Sequence, residues 1–249
     1  MVIILGVGSS RGIVPVHLRI REGEVAERVL MAGDPARVKH LSELLDGVRL
    51  VNENRGFLTF TGYYKNFPVT IAAHGVGMPS ALIVLEELIA YGGKYFVRLG
   101  TAGSLISNLR IGDVVLATGA THYPGGLFKQ YYGEDACGLS VPDFTLTRKI
   151  AEVAEERGLK YFLGPVFSSD AFYAEDPEFA KKWSSRGLIA VEMECAGLFA
   201  VSLMRGVKTA CVLVVSNSLV EDLGHASAEN LRGKVTEVAK VVLEALTRV

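Results

Sequence analysis

The chain has 249 residues, 49% of them apolar, with 26 basic against 27 acidic side chains. That length and apolar content suffice for one substantial core, and the balanced charge offers no broad positive field for nucleic acid or anionic lipid, which points to a small-molecule partner. No apolar run reaches the roughly 18 residues of a spanning helix, residues 2–7 lack the basic start of a secretory signal, and Cys137, Cys195 and Cys211 are unclustered and odd in number, so a cytoplasmic protein without a disulfide framework or zinc site is expected.

In chain order, residues 1–14 read as an extension and residues 15–249 as one domain. A strand at 29–32 runs through Gly33-Asp34-Pro35-Ala36-Arg37 into a helix at 35–45. Glycine, a capping aspartate and a proline at the first helical position are proper helix-start residues. Most such turns merely begin a helix. The free N–H groups and positive dipole of a helix start, with room at Gly33 and Arg37 able to reach back, also suit a phosphate.

A strand at 69–73, a helix at 80–91 and a strand at 95–99 follow. Gly75-Val76-Gly77, like Gly6-Val7-Gly8 earlier, hints at dinucleotide binding, but neither is followed by the rest of that fingerprint. Arg98 lies in an otherwise apolar run that continues into Gly100-Thr101-Ala102-Gly103. A cation buried there needs either a protein carboxylate or an anionic ligand, and the Thr101 hydroxyl with nearby backbone donors favours the ligand. Gly33 and Thr101 both fall beyond the carboxyl ends of strands, where α/β sheets bind their ligands.

After a strand at 113–117, residues 122–138 are polar, aromatic-rich and too irregular for a regular element; they read as a functional or interface loop, with Cys137 a free thiol or a bridge to a second copy. Helices at 143–157 and 178–184 lead to a strand at 187–192 and a helix at 195–204. Glu192 and Glu194 interrupt the apolar run across that junction and require partners. These are either an arginine or backbone cap, or the two hydroxyls of a ribose with Met193 packed against the sugar face. A strand at 210–216 and a helix at 228–247 complete an alternation that predicts an α/β fold. His40, His74, His122 and His225 read as surface or packing residues, and none is spaced as a metal ligand.

Together these segments resemble the nucleoside phosphorylase-I family of purine nucleoside, uridine and methylthioadenosine phosphorylases. The likeness spans nearly the whole chain and extends to Asn52-Glu53-Asn54-Arg55-Gly56-Phe57, His74-Gly75-Val76-Gly77-Met78-Pro79-Ser80, Ser168-Ser169-Asp170-Ala171-Phe172-Tyr173 and Val214-Val215-Ser216. Gly126-Leu127-Phe128 and Lys181-Lys182-Trp183-Ser184-Ser185-Arg186-Gly187 look most like archaeal methylthioadenosine and purine nucleoside phosphorylases. The resemblance implies a single-domain, three-layer α/β/α sandwich around a central mixed β-sheet. It implies cleavage of the N-glycosidic bond of a nucleoside by inorganic phosphate, a co-substrate, with no metal or cofactor, giving free base and pentose 1-phosphate.

By the same comparison, Gly33, Arg37, Arg98 and Thr101 would hold phosphate together with Arg55 from a neighbouring subunit. Glu192, Met193 and Glu194 would hold the ribose, Phe172 would stack on the base, Ser216 and Asn217 would line the base site, and His17 would reach the sugar's 5′ end from the neighbour. Catalysis would rest on Asn217, Glu194 and Arg98. Sites shared in this way imply a homo-oligomer, a hexamer built as a trimer of dimers.

The chain departs from the family at Ser216-Asn217-Ser218, where many purine-specific members carry Ser-Asp and use the aspartate as proton donor to N7. Asn217 can hydrogen-bond but cannot act as an acid. The arginine that assists that aspartate in bacterial relatives is replaced at about Asn230, and the Gln and Arg that uridine phosphorylases place on uracil fall at about Asp176 and Glu178. A 6-oxopurine leaving group can carry charge on O6, where an amide can stabilise it; an adenine cannot. Inosine or guanosine is therefore the expected substrate, ahead of uridine and methylthioadenosine, although an Asn side chain also pairs with the N6/N7 edge of adenine.

Overall fold

In the computed structural model, which describes residues 14–134, 136, 138–174, 178–221 and 224–249, strands and helices alternate along the chain. They are β1 (Arg28–Ala32), α1 (Pro35–Ser42), β2 (Asp46–Asn52), β3 (Thr59–Tyr64), β4 (Phe67–Ala73), α2 (Met78–Ala90), β5 (Tyr95–Ser104), β6 (Val114–His122), α3 (Gly126–Tyr132), α4 (Phe144–Glu156), β7 (Phe162–Ser168), α5 (Phe179–Ser184), β8 (Ala190–Glu192), α6 (Cys195–Arg205), β9 (Lys208–Ser218) and α7 (Ala228–Leu246). Residues 1–13 of the expected extension, with Gly6-Val7-Gly8, lie outside the described residues, as do Cys137 and Asp176.

Three strands and one helix escape the sequence reading for identifiable reasons. β2 is an edge strand whose first five residues are exposed, so it has no apolar alternation. β3 pairs with β4 through a two-residue turn at Lys65 and Asn66, which take φ of 50° and 67° without the usual glycine. β7 contains Gly164-Pro165, which argues against a central strand by itself; Pro165 instead offers its carbonyl to the Ile189 N–H at 3.0 Å. The 122–138 segment was expected to be irregular, yet it contains α3, which docks Phe128 against Met78, Ala196 and Ala200. Tertiary burial of one aromatic stabilises a helix whose local sequence is a weak former.

The sheet runs β2-β3-β4-β1-β5-β8-β7-β6-β9, and β5 also pairs with β9. Ten residues long, β5 pairs in parallel with β1 over Tyr95–Arg98, in parallel with β9 along its length, and antiparallel with β8 at Gly103 and Ser104. The strands β5, β8, β7, β6 and β9 thereby close on themselves. Alternate side chains of β5 face opposite layers. Val97 and Leu99 join the core with α1, α4 and α7, while Phe96 and Ala102 join the core with α2 and α6. The result is the expected single-domain α/β/α arrangement around a mixed sheet. One consequence matters for function: Arg98, between Val97 and Leu99, faces the start of α6.

Candidate active site

The carboxyl ends of β1, β4, β5 and β9 bring several loops together. Asp34 caps α1 by accepting the Ala36 N–H at 2.8 Å, with Pro35 at the first position. The His74 N–H donates to Ala32 O at 2.9 Å, which draws the loop after β4 against Gly33. A Cβ on Gly33 would meet Gly75 O at 2.9 Å, so this crossing requires glycine. Gly75 and Gly77 take φ of 73° and 86°, a region closed to most side chains, and that turn aims the Gly77 N–H at Glu194 Oε1, 2.6 Å away.

Arg98 is the centre of a buried ionic node. Its guanidinium lies over Gly100, where an added Cβ would clash with the guanidinium atoms. Nη1 meets Glu192 Oε2 at 3.2 Å and Nη2 donates to Glu194 Oε2. Glu192 also accepts from Ser168 Oγ, from the Glu194 N–H at 2.8 Å and from the Cys195 N–H at 3.0 Å. Of the two partners open to Arg98 in the sequence, protein carboxylates are therefore realised, and Glu192 and Glu194 have an arginine rather than only sugar hydroxyls. Burial works to lower the Arg98 pKa, but Glu194 and Glu192 hold it above its ordinary range, so the side chain stays charged. Burial pushes the Glu192 carboxyl above the usual range, against the pull of Arg98 and with help from Glu194.

Arg37 approaches from α1 and donates Nη1 to Leu99 O at 3.3 Å. That contact sets Arg37 at the carbonyl of the residue after Arg98, and burial and then the charge of Arg98 lower its pKa. The Asp34 carboxylate acts on Arg37 in the opposite sense to Arg98, so Asp34, Glu192 and Glu194 offset the two cations. On the next strands, Thr101 stands opposite Val214 and Gly103 opposite Asn217. The Asn217 amide atoms lie 3.3 Å from where a Gly103 Cβ would be, and Ser216 Oγ is 3.1 Å from Asn217 Oδ1. Asn230, expected at about the place of the assisting arginine, forms a capping box with Ser227 at the start of α7. Met193 is partly exposed between the two buried glutamates.

The remaining expected residues stand apart. Phe172, 57% exposed, packs edge-on against Tyr173 with ring centroids 5.0 Å apart, beside a small cavity lined by Tyr123, Ser168, Ser169, Asp170 and Phe179. His17 and Arg55 form their own patch. Glu87 of α2 accepts the N–H groups of Val16, His17 and Leu18 at 3.0, 3.0 and 2.7 Å and His17 Nδ1 at 2.7 Å. Asn54, next to Arg55, donates Nδ2 to His17 O at 2.7 Å. Arg55 is exposed and holds φ of 57°, a strained value for a non-glycine residue.

Glu86 and Glu87 were not among the expected site residues. Adjacent carboxylates inside the apolar helix segment Ile83-Val84-Leu85-Glu86-Glu87-Leu88-Ile89 were the available signal. Glu86 is gripped by Arg205 through Nε at 2.8 Å and Nη2 at 2.7 Å, tying α2 to α6. Burial and then the charge of Glu86 push nearby Tyr131 of α3 up to about 12.

Comparison with known proteins places this geometry in context. Residues 27–249 match the family model described as the phosphorylase superfamily. A purine nucleoside phosphorylase DeoD-type of Caldanaerobacter subterraneus subsp. tengcongensis is 38% identical over 92% of this chain and 98% of its own. A protein of the same name from Geobacillus kaustophilus is 37% identical over 94% and 98%. A guanosine phosphorylase of Halorubrum lacusprofundi is 34% identical over 93% and 97%.

Proposed function

We infer that this chain, which belongs to the phosphorylase superfamily, is a purine nucleoside phosphorylase: a pentosyltransferase that cleaves the glycosidic bond with inorganic phosphate. The observation that carries this reading is the placement of Arg37 at the Leu99 carbonyl, next to Arg98 with its Glu194 partner, on the helix that starts after the Gly33 turn. In the reaction the C1′–N bond breaks with its electron pair passing to the base, and a phosphate oxygen forms the new bond to C1′. The sugar passes through an oxocarbenium-like transition state. The arginines orient the nucleophile and Glu194 fixes the ribose hydroxyls, so most of the effect is positioning and electrostatics. Phosphate is the co-substrate, and no cofactor or metal takes part in this scheme.

Base preference rests on Asn217. Its amide can donate to O6 of a departing hypoxanthine or guanine, whereas adenine would need an acid at N7. We therefore rank inosine and guanosine above adenosine, uridine and methylthioadenosine. The name of the guanosine phosphorylase relative supports that order. Initial rates across these five nucleosides test it, and faster cleavage of adenosine would overturn it.

The same reading includes a cytoplasmic homo-oligomer, a hexamer with shared sites. Among the described residues no helix is long and apolar enough to cross a membrane. Arg98 is offset by Glu192 and Glu194 and Arg37 by Asp34 within one chain, so a dianion needs a further cation. Arg55, exposed and held next to His17 by Asn54, is suited to supply it to a neighbour. Val14 and Val16, 80% and 62% exposed beside His17, give that edge an apolar rim. The balanced charge also means that repulsion among arginines does not by itself separate phosphorolysis from hydrolysis by water; dependence on phosphate does.

A further inference from the structure

On the layer formed by α1, α4 and α7, a groove of about 550 Å³ opens between His40 of α1, Arg157 just past α4, and the face of α7 that carries Arg232, Thr236 and Lys240. Residues four apart on a helix stand one above the other, so those three form one row and Gly233, Glu237 and Val241 the row beside it. The carboxylates near the groove are already engaged. Glu237 is held by Lys234 at 2.6 Å, and Glu244, which Arg157 reaches at 3.3 Å, is shared with Lys65 and Arg248. The cations are not offset to the same degree. An arginine only donates, so His40 Nδ1 accepts from Arg232 Nη2 at 3.0 Å; the ring's hydrogen is then on Nε2, which donates to Thr236 Oγ1 at 2.9 Å, and that hydroxyl donates to the Arg232 carbonyl at 2.8 Å. In this circuit the partner of Arg232 is neutral. Glu43 lies 3.4 Å from the same His40 nitrogen, but with its side chain 67% exposed it is a screened partner. Among the described residues Lys240 has no carboxylate partner.

Gly233 is a separate observation with the same direction. It lies inside α7, where glycine costs about 1 kcal/mol relative to alanine. A Cβ there would meet nothing within 4 Å, so packing does not require the glycine. Its missing side chain instead leaves room beside Arg232 for a ligand to approach the helix. Leu159 and Val241, both buried, supply an apolar floor. The volume lies within the roughly 300–1,000 Å³ of small-molecule sites, more than a lone phosphate needs. Arg232 and Lys240 are two turns apart, about 12 Å along the helix axis, so an occupant that engages both carries anionic oxygens over some length. We propose that this groove is a second ligand site, which binds an organic phosphate of nucleotide size: Arg232, Lys240 and Arg157 hold its phosphates, and its uncharged part rests on Leu159 and Val241. None of these residues belongs to the active site.

The test is isothermal titration of the purified full-length protein with ADP, and displacement of ADP by ribose 5-phosphate and by inorganic phosphate. ADP should bind wild type at one site per chain with Kd at or below about 1 mM. Arg232→Glu and Lys240→Glu each remove a charge-assisted bond and should raise that Kd about tenfold or more. Gly233→Leu keeps every charge but fills the groove, and should weaken ADP in the same way. In all three variants nucleoside kcat/KM and phosphate KM stay within about twofold of wild type, because no active-site group is touched. Ribose 5-phosphate and inorganic phosphate should displace ADP only at about tenfold higher concentration than ADP itself requires. Displacement by either at equal concentration overturns the nucleotide-sized assignment. Absence of ADP binding to wild type overturns the site, as does a Kd that none of the variants changes, which would place ADP elsewhere on the molecule. If a charge variant does not fold, Gly233→Leu decides, since leucine is a better helix former than glycine and should keep the thermal midpoint at or above that of wild type. Binding is read without turnover, so a failed titration leaves the phosphorylase reading standing.

Discussion

Glu192 and Glu194 share one arginine, but replacing each by glutamine has different consequences. Glu192 accepts from Ser168, from the N–H groups of Glu194 and Cys195 and from Arg98, with its side chain wholly enclosed. In Glu192→Gln one oxygen becomes a donor facing other donors, and Arg98 loses half of its compensation. Breaking a buried pair in this way costs about 3–5 kcal/mol. For a chain of this size each kcal/mol moves the midpoint by about 2–4 °C, so Tm falls by about 6–20 °C. In Glu194→Gln the new amide oxygen can still take the Gly77 N–H, and Arg98 keeps Glu192. The loss is about 1.5–3 kcal/mol of one charge-assisted bond, or about 3–12 °C. Because that same carboxylate is assigned to the ribose hydroxyls, kcat/KM falls by about 10- to 150-fold. Calorimetry of the purified protein, paired with initial rates at saturating phosphate, reads both effects. The reasoning is refuted if Glu192→Gln melts within about 2 °C of wild type, or if Glu194→Gln is the less stable of the two.

Restoring an acid in Asn217→Asp should raise the ratio of adenosine to inosine kcat/KM at least tenfold, since general acid catalysis contributes about 10²-fold or more; an unchanged ratio in a nucleoside competition assay contradicts the assignment. Arg55→Ala should raise phosphate KM at least tenfold with Tm nearly unchanged, because the side chain is exposed and alanine has no better claim on φ of 57°; unchanged phosphate KM would remove Arg55 from the site. Burial works to raise the Glu87 carboxyl, but the N–H groups of Val16 and Leu18, with His17, hold it below its usual value. Its stabilisation is thus complete above the ordinary glutamate pKa of about 4.3 and is lost as pH falls through the depressed folded value. Amide exchange at Val16–Leu18 should stay protected at pH above that range and accelerate below it; exchange that is already fast near neutrality would refute the anchor.

Much of this architecture was legible because it obeys local rules. Pro35 after a capping aspartate places α1, and an arginine amid Phe96-Val97 and Leu99 marks a buried charge whatever its partner. What stayed hidden depends on distant residues. Nothing near Arg98 in sequence says that Glu192 and Glu194 will neutralise it, because the β5–β8 pairing that joins them spans some 90 residues. β7 was masked by Pro165, and α3 exists because Phe128 finds an apolar seat across the fold. His74 reads as an ordinary strand-end histidine until its ring is seen to be buried without a partner. Arg55 and His17 were expected to act on a neighbour, and a single chain holds them as one patch around Asn54.

The central claim is that inorganic phosphate, rather than water, takes the pentose. Purified enzyme incubated with inosine should release hypoxanthine at a rate that saturates with phosphate and falls to background without it, with pentose 1-phosphate formed in equal amount. Equal base release in phosphate-free buffer, with free ribose as the other product, would contradict the account.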